Sequence, residues 1–189
     1  EPNPPCRRLQ QAGPHSDTGL VLEHGQHLLL LVSVPELIQG EEQELQADDG
    51  ADADDYDPKK FVGRSDDGYC FTDDLPNSWM SVDLGEGRTV VPTHYCLRHD
   101  RTNGYALRDW TLEGKATEPA GPGADWVQIR RHDGDETLAT QAFSVGAWPI
   151  EGEARAFRHF RIHQHGENAN GTTYLMCCGF EVYGTLTEA

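Results

Sequence analysis

The sequence predicts an all-β fold, an antiparallel β-sandwich. From Phe61 onward, short runs in which apolar and polar residues alternate recur about every eight to twelve residues. Gly, Asp-Gly and Pro separate these runs, and they are the residues that favour turns between antiparallel strands. No stretch shows the sustained 3.6-residue periodicity of an amphipathic helix. Together these three observations favour two packed antiparallel sheets over any helical fold.

Each predicted strand has one apolar face. In the stretch 93–99, Tyr95 and Leu97 point to one side. His94, Cys96 and Arg98 point to the other, which is typical of a sheet with one buried and one solvated face. The predicted strands cover residues 78–84, 90–99, 107–113, 126–131, 141–145, 158–164 and 174–183. All four tryptophans are expected in the core.

The predicted strands 90–99 and 107–113 are interpreted as a hairpin. The loop between them, residues 99–107, contains Asn103-Gly104, which favours a turn with positive φ. A tight hairpin needs only about two loop residues, so this loop has more polar and aromatic residues than chain reversal requires. The surplus indicates that a loop, rather than the core, carries the function.

The chain is predicted to divide at an acidic segment. Residues 1–40 form an extension with two short strands, at 20–22 and 27–34, which either complete the sandwich or form a separate module. Residues 41–57 hold nine acids and no base, a run typical of a solvated linker, so 41–58 is assigned as linker or loop. The remainder, 59–187, is the main domain. An alternative for the acidic segment is a calcium loop, although its spacing does not match an EF-hand. The oxygen ligands of that loop would come from Asp48, Asp52, Asp54 and Asp57.

Charge and hydropathy limit the ligand class. The net charge is −17, and residues 1–57 carry thirteen Asp and Glu against two Arg. Nucleic acid is not expected as a partner, because no basic stripe exists that could neutralise phosphates. The longest apolar run, residues 28–32, is strand-sized and too short to span a bilayer. The sequence is interpreted as a soluble fragment of a larger protein.

The cysteines predict the compartment. There are five, an odd number with no framework spacing, which favours free thiols in the cytoplasm or nucleus. Asn170-Gly171-Thr172 is a glycosylation sequon that would be used only in the secretory route. Short sequons often arise by chance, so the cysteines have more weight and the predicted location is cytoplasmic or nuclear.

The sequence contains no catalytic motif. His94 and Cys96, with His99 beyond, and His163 with His165 could each place two metal ligands on one strand face, but a structural zinc site needs four. No nucleophile elbow, phosphate-binding loop or His-Glu-x-x-His motif occurs. A non-catalytic module without a cofactor is therefore predicted.

The order of motifs resembles a known family. The motifs are NSWMSVDLG at 77–85, Trp148-Pro149, Phe160-Arg161-Ile162 and GFEVYG at 179–184. Residues 61–187 resemble the discoidin-like, galactose-binding-domain-like jelly roll, which includes coagulation-factor C domains, bacterial carbohydrate-binding modules and the DOC domain. Within that group the chain is similar to modules embedded in large ubiquitin ligases of the HECT and related classes.

The resemblance implies where a ligand would bind. In these domains, loops at one end of the sandwich form the binding surface. The corresponding loops are 64–76, 99–107 and 165–173. The third resembles the Asn-Gly loop with which the DOC subunit of the anaphase-promoting complex takes part in degron recognition, and the second corresponds to the loop that cooperates with it. Neither loop copies the DOC residues, so only the location is transferred.

Polar and aromatic residues of these loops are the candidate site residues. Their arginines and carboxylates offer charge-assisted hydrogen bonds, and their tyrosines offer aromatic anchors for a peptide. The candidates are Asp66, Asp67, Tyr69, His99, Asp100, Arg101, Asn103, Tyr105, Arg108, Asn168, Asn170 and Thr172. The predicted function is recognition of a protein or peptide ligand, of the substrate or degron type, by part of a ubiquitin ligase.

A carbohydrate-binding module with a structural calcium is the alternative. The residues that could stack on and hydrogen-bond a sugar are Tyr69, Asn103, Tyr105 and Arg108. Calcium would lie at the turn formed by Asp73 and Asp74, although no metal is included in the predicted site. A sugar is less favoured than a peptide because glycans are scarce in a reducing compartment. Membrane binding is not expected, since the loop tips are Asp, Arg, Asn and Gly.

Overall fold

The computed structural model describes residues 20–21, 28–30, 58–63, 70–116, 126–152 and 154–188. The predictions for the acidic segment 41–57 lie outside these residues. The described strands are β1 (Leu20–Val21), β2 (Leu28–Leu30), β3 (Trp79–Asp83), β4 (Arg88–His99), β5 (Trp110–Lys115), β6 (Val127–His132), β7 (Val145–Pro149), β8 (His159–Gln164) and β9 (Cys177–Glu188). A 3-10 helix, Pro58–Val62, precedes β3. Within the described ranges, no helix is long and apolar enough to cross a membrane.

The strands form two antiparallel sheets that enclose the core. The five-stranded sheet has the order β1-β2-β9-β4-β7, and the four-stranded sheet has the order β3-β8-β5-β6. Most neighbours in each sheet are distant in sequence, as the strands of a jelly roll are. The short strand β2 pairs with β9, with Leu29 opposite Tyr183, so β1 and β2 lie at the edge of the larger sheet. The predicted all-β jelly-roll sandwich is confirmed.

The core is formed by the inward faces of both sheets. Because successive residues of a strand point to opposite faces, Tyr95 and Leu97 of β4 and Leu112 of β5 enter the core, where all three are fully buried. Phe61 of the 3-10 helix packs on Phe180 of β9, with ring centroids 5.3 Å apart. The 3-10 helix therefore packs against β9.

The tryptophans divide between core and surface, which corrects the expectation that all four are buried. Trp110 and Trp148 are in the core. Trp79 and Trp126 are partly exposed, because they lie on the outer face of the four-stranded sheet. There the guanidinium carbon of Arg161 lies 4.5 Å from the ring centroid of Trp126 and 5.9 Å from that of Trp79. Cation–π contact, rather than core packing, is the role of these two rings.

The predicted hairpin of β4 and β5 is wrong. β4 pairs with β9 and β7 in the larger sheet, whereas β5 pairs with β6 and β8 in the smaller one. The connection between β4 and β5 therefore crosses from one sheet to the other, across roughly 10 Å of core. This crossing explains why the connection is longer than a tight turn.

The predicted strand at 141–145 is also wrong. β7 begins at Val145, where that prediction ends, and runs to Pro149. Ala142 and Phe143 look strand-like in sequence, but Phe143 has a φ of 59°, a left-handed conformation that a strand does not contain. Within the described part of 70–188, the other predicted strands correspond to observed strands with shifted ends.

Candidate functional site

Four connections meet at one end of the sandwich, which we call the rim: residues 70–78, 100–109, 133–144 and 165–176. The strand register brings them together. His99 at the end of β4 lies opposite Cys177 at the start of β9. Trp110 at the start of β5 lies opposite both His132 of β6 and Gln164 of β8. The described parts of the three predicted loops are thus adjacent. The connection 133–144 lies beside them at the same end, and the sequence did not indicate it.

Hydrogen bonds join the connection 165–176 to the connections 70–78 and 100–109 on either side of it. Thr173 donates to Asp74 Oδ1 from its backbone nitrogen at 2.6 Å and from its hydroxyl at 2.7 Å. The backbone nitrogen of Ala169 donates to the carbonyl of Ala106 at 2.9 Å. The order across the rim is therefore 70–78, 165–176 and 100–109.

The fourth connection attaches to the loop 100–109 in the same way. Gly104 N donates to the Thr140 carbonyl at 2.8 Å, and Ala142 N donates to Asn103 Oδ1 at 2.8 Å. Phe143, the residue with positive φ, donates its N–H to the Asp100 carbonyl at 2.9 Å. These contacts make the four connections one continuous surface.

An aromatic row crosses the rim. Tyr174 contacts Phe71 edge to face, with centroids 6.1 Å apart, and contacts Tyr105 in the same manner at 6.3 Å. All three rings are partly exposed. Sequence reasoning selected Tyr105 but not Phe71 or Tyr174. The signal for Tyr174 was present, since it directly follows the polar loop 165–173.

Two candidates lie beneath the loop surface. His99 and Asp100 are fully buried. Asp100 Oδ1 accepts a hydrogen bond from Thr102 N at 2.8 Å, which fixes the start of the loop 100–109. Burial raises the pKa of Asp100 to about 6, because the lost hydration outweighs the hydrogen bonds from Thr102 and the attraction of Arg101. Burial also lowers the pKa of His99.

Asn168 organises the loop 165–173 from within. It is 4% exposed, and its Nδ2 donates to Thr172 Oγ1 at 2.8 Å and to the Tyr174 carbonyl at 3.0 Å. Its Oδ1 accepts from the backbone nitrogens of Asn170 at 2.9 Å and Thr172 at 3.3 Å. One buried amide thus determines where the exposed Asn170 and the ring of Tyr174 lie.

Arg108 hydrogen-bonds to the backbone of the fourth connection, residues 133–144. Its Nη1 donates to three carbonyls, those of Leu107 at 2.8 Å, Leu138 at 2.9 Å and Asp135 at 3.3 Å. The exposed candidates in the described part are Arg101, Asn103 and Asn170, and the partly exposed ones are Tyr105, Arg108 and Thr172. Asp66, Asp67 and Tyr69 lie outside the described residues.

One group at the rim has the residue types of a metal site. The ligand atoms of Asp109, Asp133 and His165 lie within 4.8 Å of one another. Arg131 is already bound there, with Nη2 2.7 Å from Asp133 Oδ1 and 3.4 Å from His165 Nδ1. A guanidinium only donates, so it favours the histidine tautomer that has its proton on Nε2, and that nitrogen then cannot ligate a metal. Arg131 itself supplies the cation that the carboxylates need.

The two sheets and the rim define a β-sandwich of the discoidin-like, galactose-binding-domain-like class. Solved structures of the same fold include the family 32 carbohydrate-binding module of AlyQ in complex with 4,5-unsaturated mannuronic acid. It has a TM-score of 0.51, 11% identity, and covers 79% of this chain and 94% of that one. A fucolectin from striped bass (Morone saxatilis) serum has a TM-score of 0.54, 12% identity, and covers 81% of this chain and 46% of that one. At these identities the likeness shows the fold.

The sequence is homologous to segments of ubiquitin ligases. It is 39% identical over 122 residues to E3 ubiquitin-protein ligase Ufd4 of Drosophila melanogaster and 40% identical over 122 residues to E3 ubiquitin-protein ligase hecd-1 of Caenorhabditis elegans. These matches cover 62% and 63% of the chain but 4% of each ligase. A BTB/POZ domain-containing protein of Arabidopsis thaliana is 31% identical over 130 residues, which are 67% of this chain and 15% of that protein. No protein-family model matches. The predicted resemblance to ligase-embedded modules of this fold is confirmed.

Proposed function

We propose that the chain is a non-catalytic recognition module that binds a protein or peptide ligand at the rim as part of a ubiquitin ligase. The observation that carries this proposal is the aromatic row of Phe71, Tyr174 and Tyr105, held in place by hydrogen-bonded loops. Tyrosine and arginine are enriched among the residues that dominate binding energy at protein interfaces. The homology to ligase segments supports a protein ligand rather than a free sugar.

Exposure separates contact residues from supporting residues. Arg101, Asn103 and Asn170 are exposed and Tyr105 is partly exposed, so we assign them to the ligand. The remaining described candidates hold the loops: His99, Asp100, Arg108, Asn168 and Thr172. Asp66, Asp67 and Tyr69 keep their predicted role as ligand contacts. We further propose a cytoplasmic or nuclear location, which the buried free thiols of the described cysteines support.

A peptide library immobilised on a surface tests the proposal. The chain is compared with its Tyr105→Ala, Tyr174→Ala and Arg101→Ala variants, and Arg88→Ala at the opposite end of β4 is the matched control. Each rim variant is expected to lose about tenfold in affinity for the selected peptides, as truncation of an interface anchor does. Equal binding by all three rim variants and the control would contradict the assignment.

A sugar ligand is the second candidate, because two proteins of the same fold are named for sugar binding. Tyr105 and Asn103 remain the stacking and hydrogen-bonding groups for it. The associated calcium at Asp73 and Asp74 would compete with Thr173 for the Asp74 carboxylate, whose Oδ1 already accepts two hydrogen bonds. A glycan array, with and without calcium, separates the two functions: glycan binding without peptide binding would replace our proposal.

A further inference from the structure

Charge is divided unevenly between the rim and the rest of the described domain. The four connections of the rim hold eight Asp and Glu against two Arg. The other described residues hold six Asp and Glu against ten Lys and Arg. The rim is therefore an acidic end on a domain whose remaining described residues are basic on balance.

The segments outside the described ranges do not change the sign of the charge at the rim. Residues 64–69, which precede the first connection, hold Arg64 against Asp66 and Asp67. Residues 1–57 hold thirteen Asp and Glu against two Arg, and residues 117–125 hold two acids and no base. Because these segments contain three Arg in all, they cannot reverse the balance of eight acids against two bases, wherever they lie.

Some of the rim carboxylates already have partners within the domain. Asp133 Oδ1 lies 2.7 Å from Nη2 of Arg131. Asp135 Oδ2 accepts a hydrogen bond from Trp148 Nε1 at 2.9 Å. These carboxylates hold the fourth connection in place, so we do not assign them to a ligand.

Three other rim carboxylates are unpaired. Those of Asp73, Glu136 and Glu167 take part in no hydrogen bond or ion pair within the described part of the chain. Glu136 and Glu167 are exposed, and Asp73 is half-exposed. The three acids lie on the connections 70–78, 133–144 and 165–176, so unpaired negative charge is distributed across the rim.

Exposed apolar groups lie at the same end of the sandwich. Leu75, in the connection 70–78, is 45% exposed, and Val145, the first residue of β7, is 51% exposed. Phe71, Tyr174 and Tyr105 contact one another edge to face, an arrangement that does not cover both faces of a ring. Open aromatic faces attract ammonium and guanidinium groups as well as apolar side chains. The rim thus combines apolar contact area with unpaired negative charge.

We propose that the rim recognises a basic peptide segment of another protein, in which Lys or Arg side chains stand beside apolar ones. This inference rests on the function proposed above and names the ligand class of the same site. The carboxylates of Asp73, Glu136 and Glu167 accept hydrogen bonds from the cationic groups of the ligand. Arg101 can only donate, so it binds carbonyl oxygens of the ligand. Acidic peptides are repelled, because like charges would meet across the interface.

A random peptide library passed over the immobilised whole chain tests the ligand class. The bound peptides are sequenced, and their residue frequencies are compared with those of the starting library. Lys and Arg are expected to be enriched about two- to fivefold, the range that one exposed ion pair contributes. Apolar and aromatic residues should be enriched with them, and Asp and Glu should be depleted.

Two variants of equal net charge locate the binding. The rim variant neutralises the three unpaired acids: Asp73→Asn, Glu136→Gln and Glu167→Gln. The control variant neutralises three exposed acids at the opposite end of the sandwich: Glu86→Gln, Glu151→Gln and Glu188→Gln. The rim variant should bind the enriched peptides roughly tenfold more weakly, and the control variant should change their affinity by less than about twofold. Since the two variants carry the same charge, a difference between them cannot come from the acidity of the whole chain.

The outcomes separate this inference from the proposed function. If no peptide is enriched, both are overturned. Neutral or acidic peptides that bind less well to the Tyr105→Ala variant support the proposed function and overturn the basic ligand class alone. Basic peptides that bind the rim variant as well as the wild type also overturn it. If the rim variant does not fold, the wild type decides: a copy of the strongest peptide with Gln in place of every Lys and Arg must bind at least about tenfold more weakly, and equal affinity overturns the proposal.

Discussion

Thr173 hydrogen-bonds twice to the same carboxylate oxygen of Asp74, across 99 residues of sequence. The contact ties the connection before β3 to the connection before β9, and so it closes one side of the rim. Neither residue belongs to a strand. The geometry of the proposed binding surface therefore depends on polar contacts between loops, in addition to the sheets that hold the loop ends.

Asp74→Ala should loosen this side of the rim. Since Asp74 is exposed, we expect a loss of only about 1 kcal/mol of unfolding free energy. Hydrogen exchange of the Thr173 amide should accelerate strongly, because its acceptor is gone. Asp73→Ala removes the same charge one residue earlier and is the control. Equal exchange in both variants would mean that charge, rather than this contact, orders the loop.

Asn168 and Asn170 should behave oppositely when each is changed to Ala. Asn168→Ala removes four hydrogen bonds from a buried site, and we expect a cost of about 2–4 kcal/mol measured by urea unfolding. Asn170→Ala should change stability by less than about 0.5 kcal/mol, since its side chain is exposed. It should instead lower affinity for rim ligands. A large stability loss from Asn170→Ala would contradict the separation of supporting and contact residues.

Local alternation predicted the core faces of the strands but not their partners. Tyr95 and Leu97 could be assigned to the core because neighbours in a strand alternate whatever the strand pairs with. The pairing of β4 with β9 is decided by residues about eighty positions later, so the sequence suggested a hairpin that does not exist. Phe143 shows a second limit, since its positive φ accompanies a hydrogen bond to the Asp100 carbonyl, a contact that local sequence does not indicate.

The rim was predictable in position and only partly in composition. Its location follows from the order of strands and loops, which the resemblance supplied. Burial of Asp100 and Asn168 could not be predicted, because polar residues in loops are usually exposed and here neighbouring loops cover them. Phe71 and Tyr174 were missed because the row exists only when two connections lie side by side.

The stability of the domain should carry a pH dependence from Asp100. Its pKa is about 6 in the folded protein, because burial disfavours the charged form, against 3.8 for the ordinary group. The folded state therefore holds this proton more tightly than the unfolded state. Stability is greatest below pH 3.8 as far as this group is concerned, falls as pH rises to about 6, and is level above that.

Asp100→Asn should remove this dependence while it keeps an oxygen for the Thr102 N–H. The unfolding free energy of the variant minus that of the wild type should rise by about 2.4 kcal/mol between pH 4 and pH 7. Other titrating groups largely cancel in the difference, which is measured by urea unfolding at several pH values. A constant difference would show that the carboxyl group titrates normally.

A buried polar network joins the two sheets. Trp110 Nε1 donates to Tyr95 Oη at 3.1 Å, and Tyr95 Oη lies 2.6 Å from His132 Nε2. His132 Nδ1 lies 2.6 Å from Asp135 Oδ2, which also accepts from Trp148 Nε1 at 2.9 Å. Burial lowers the pKa of His132, so the ring is neutral, with its proton on Nδ1 and Nε2 free to accept from tyrosine.

Tyr95→Phe should break this network at its centre. The change leaves the Trp110 indole N–H and His132 Nε2 without partners in the core, at a cost of about 2–4 kcal/mol. In a chain of this size, that cost corresponds to a fall in Tm of roughly 5–15 °C. Tyr105→Phe makes the same chemical change at the partly exposed rim and should shift Tm by no more than about 2 °C. Similar Tm values for the two variants would show that the Tyr95 hydroxyl does not stabilise the core.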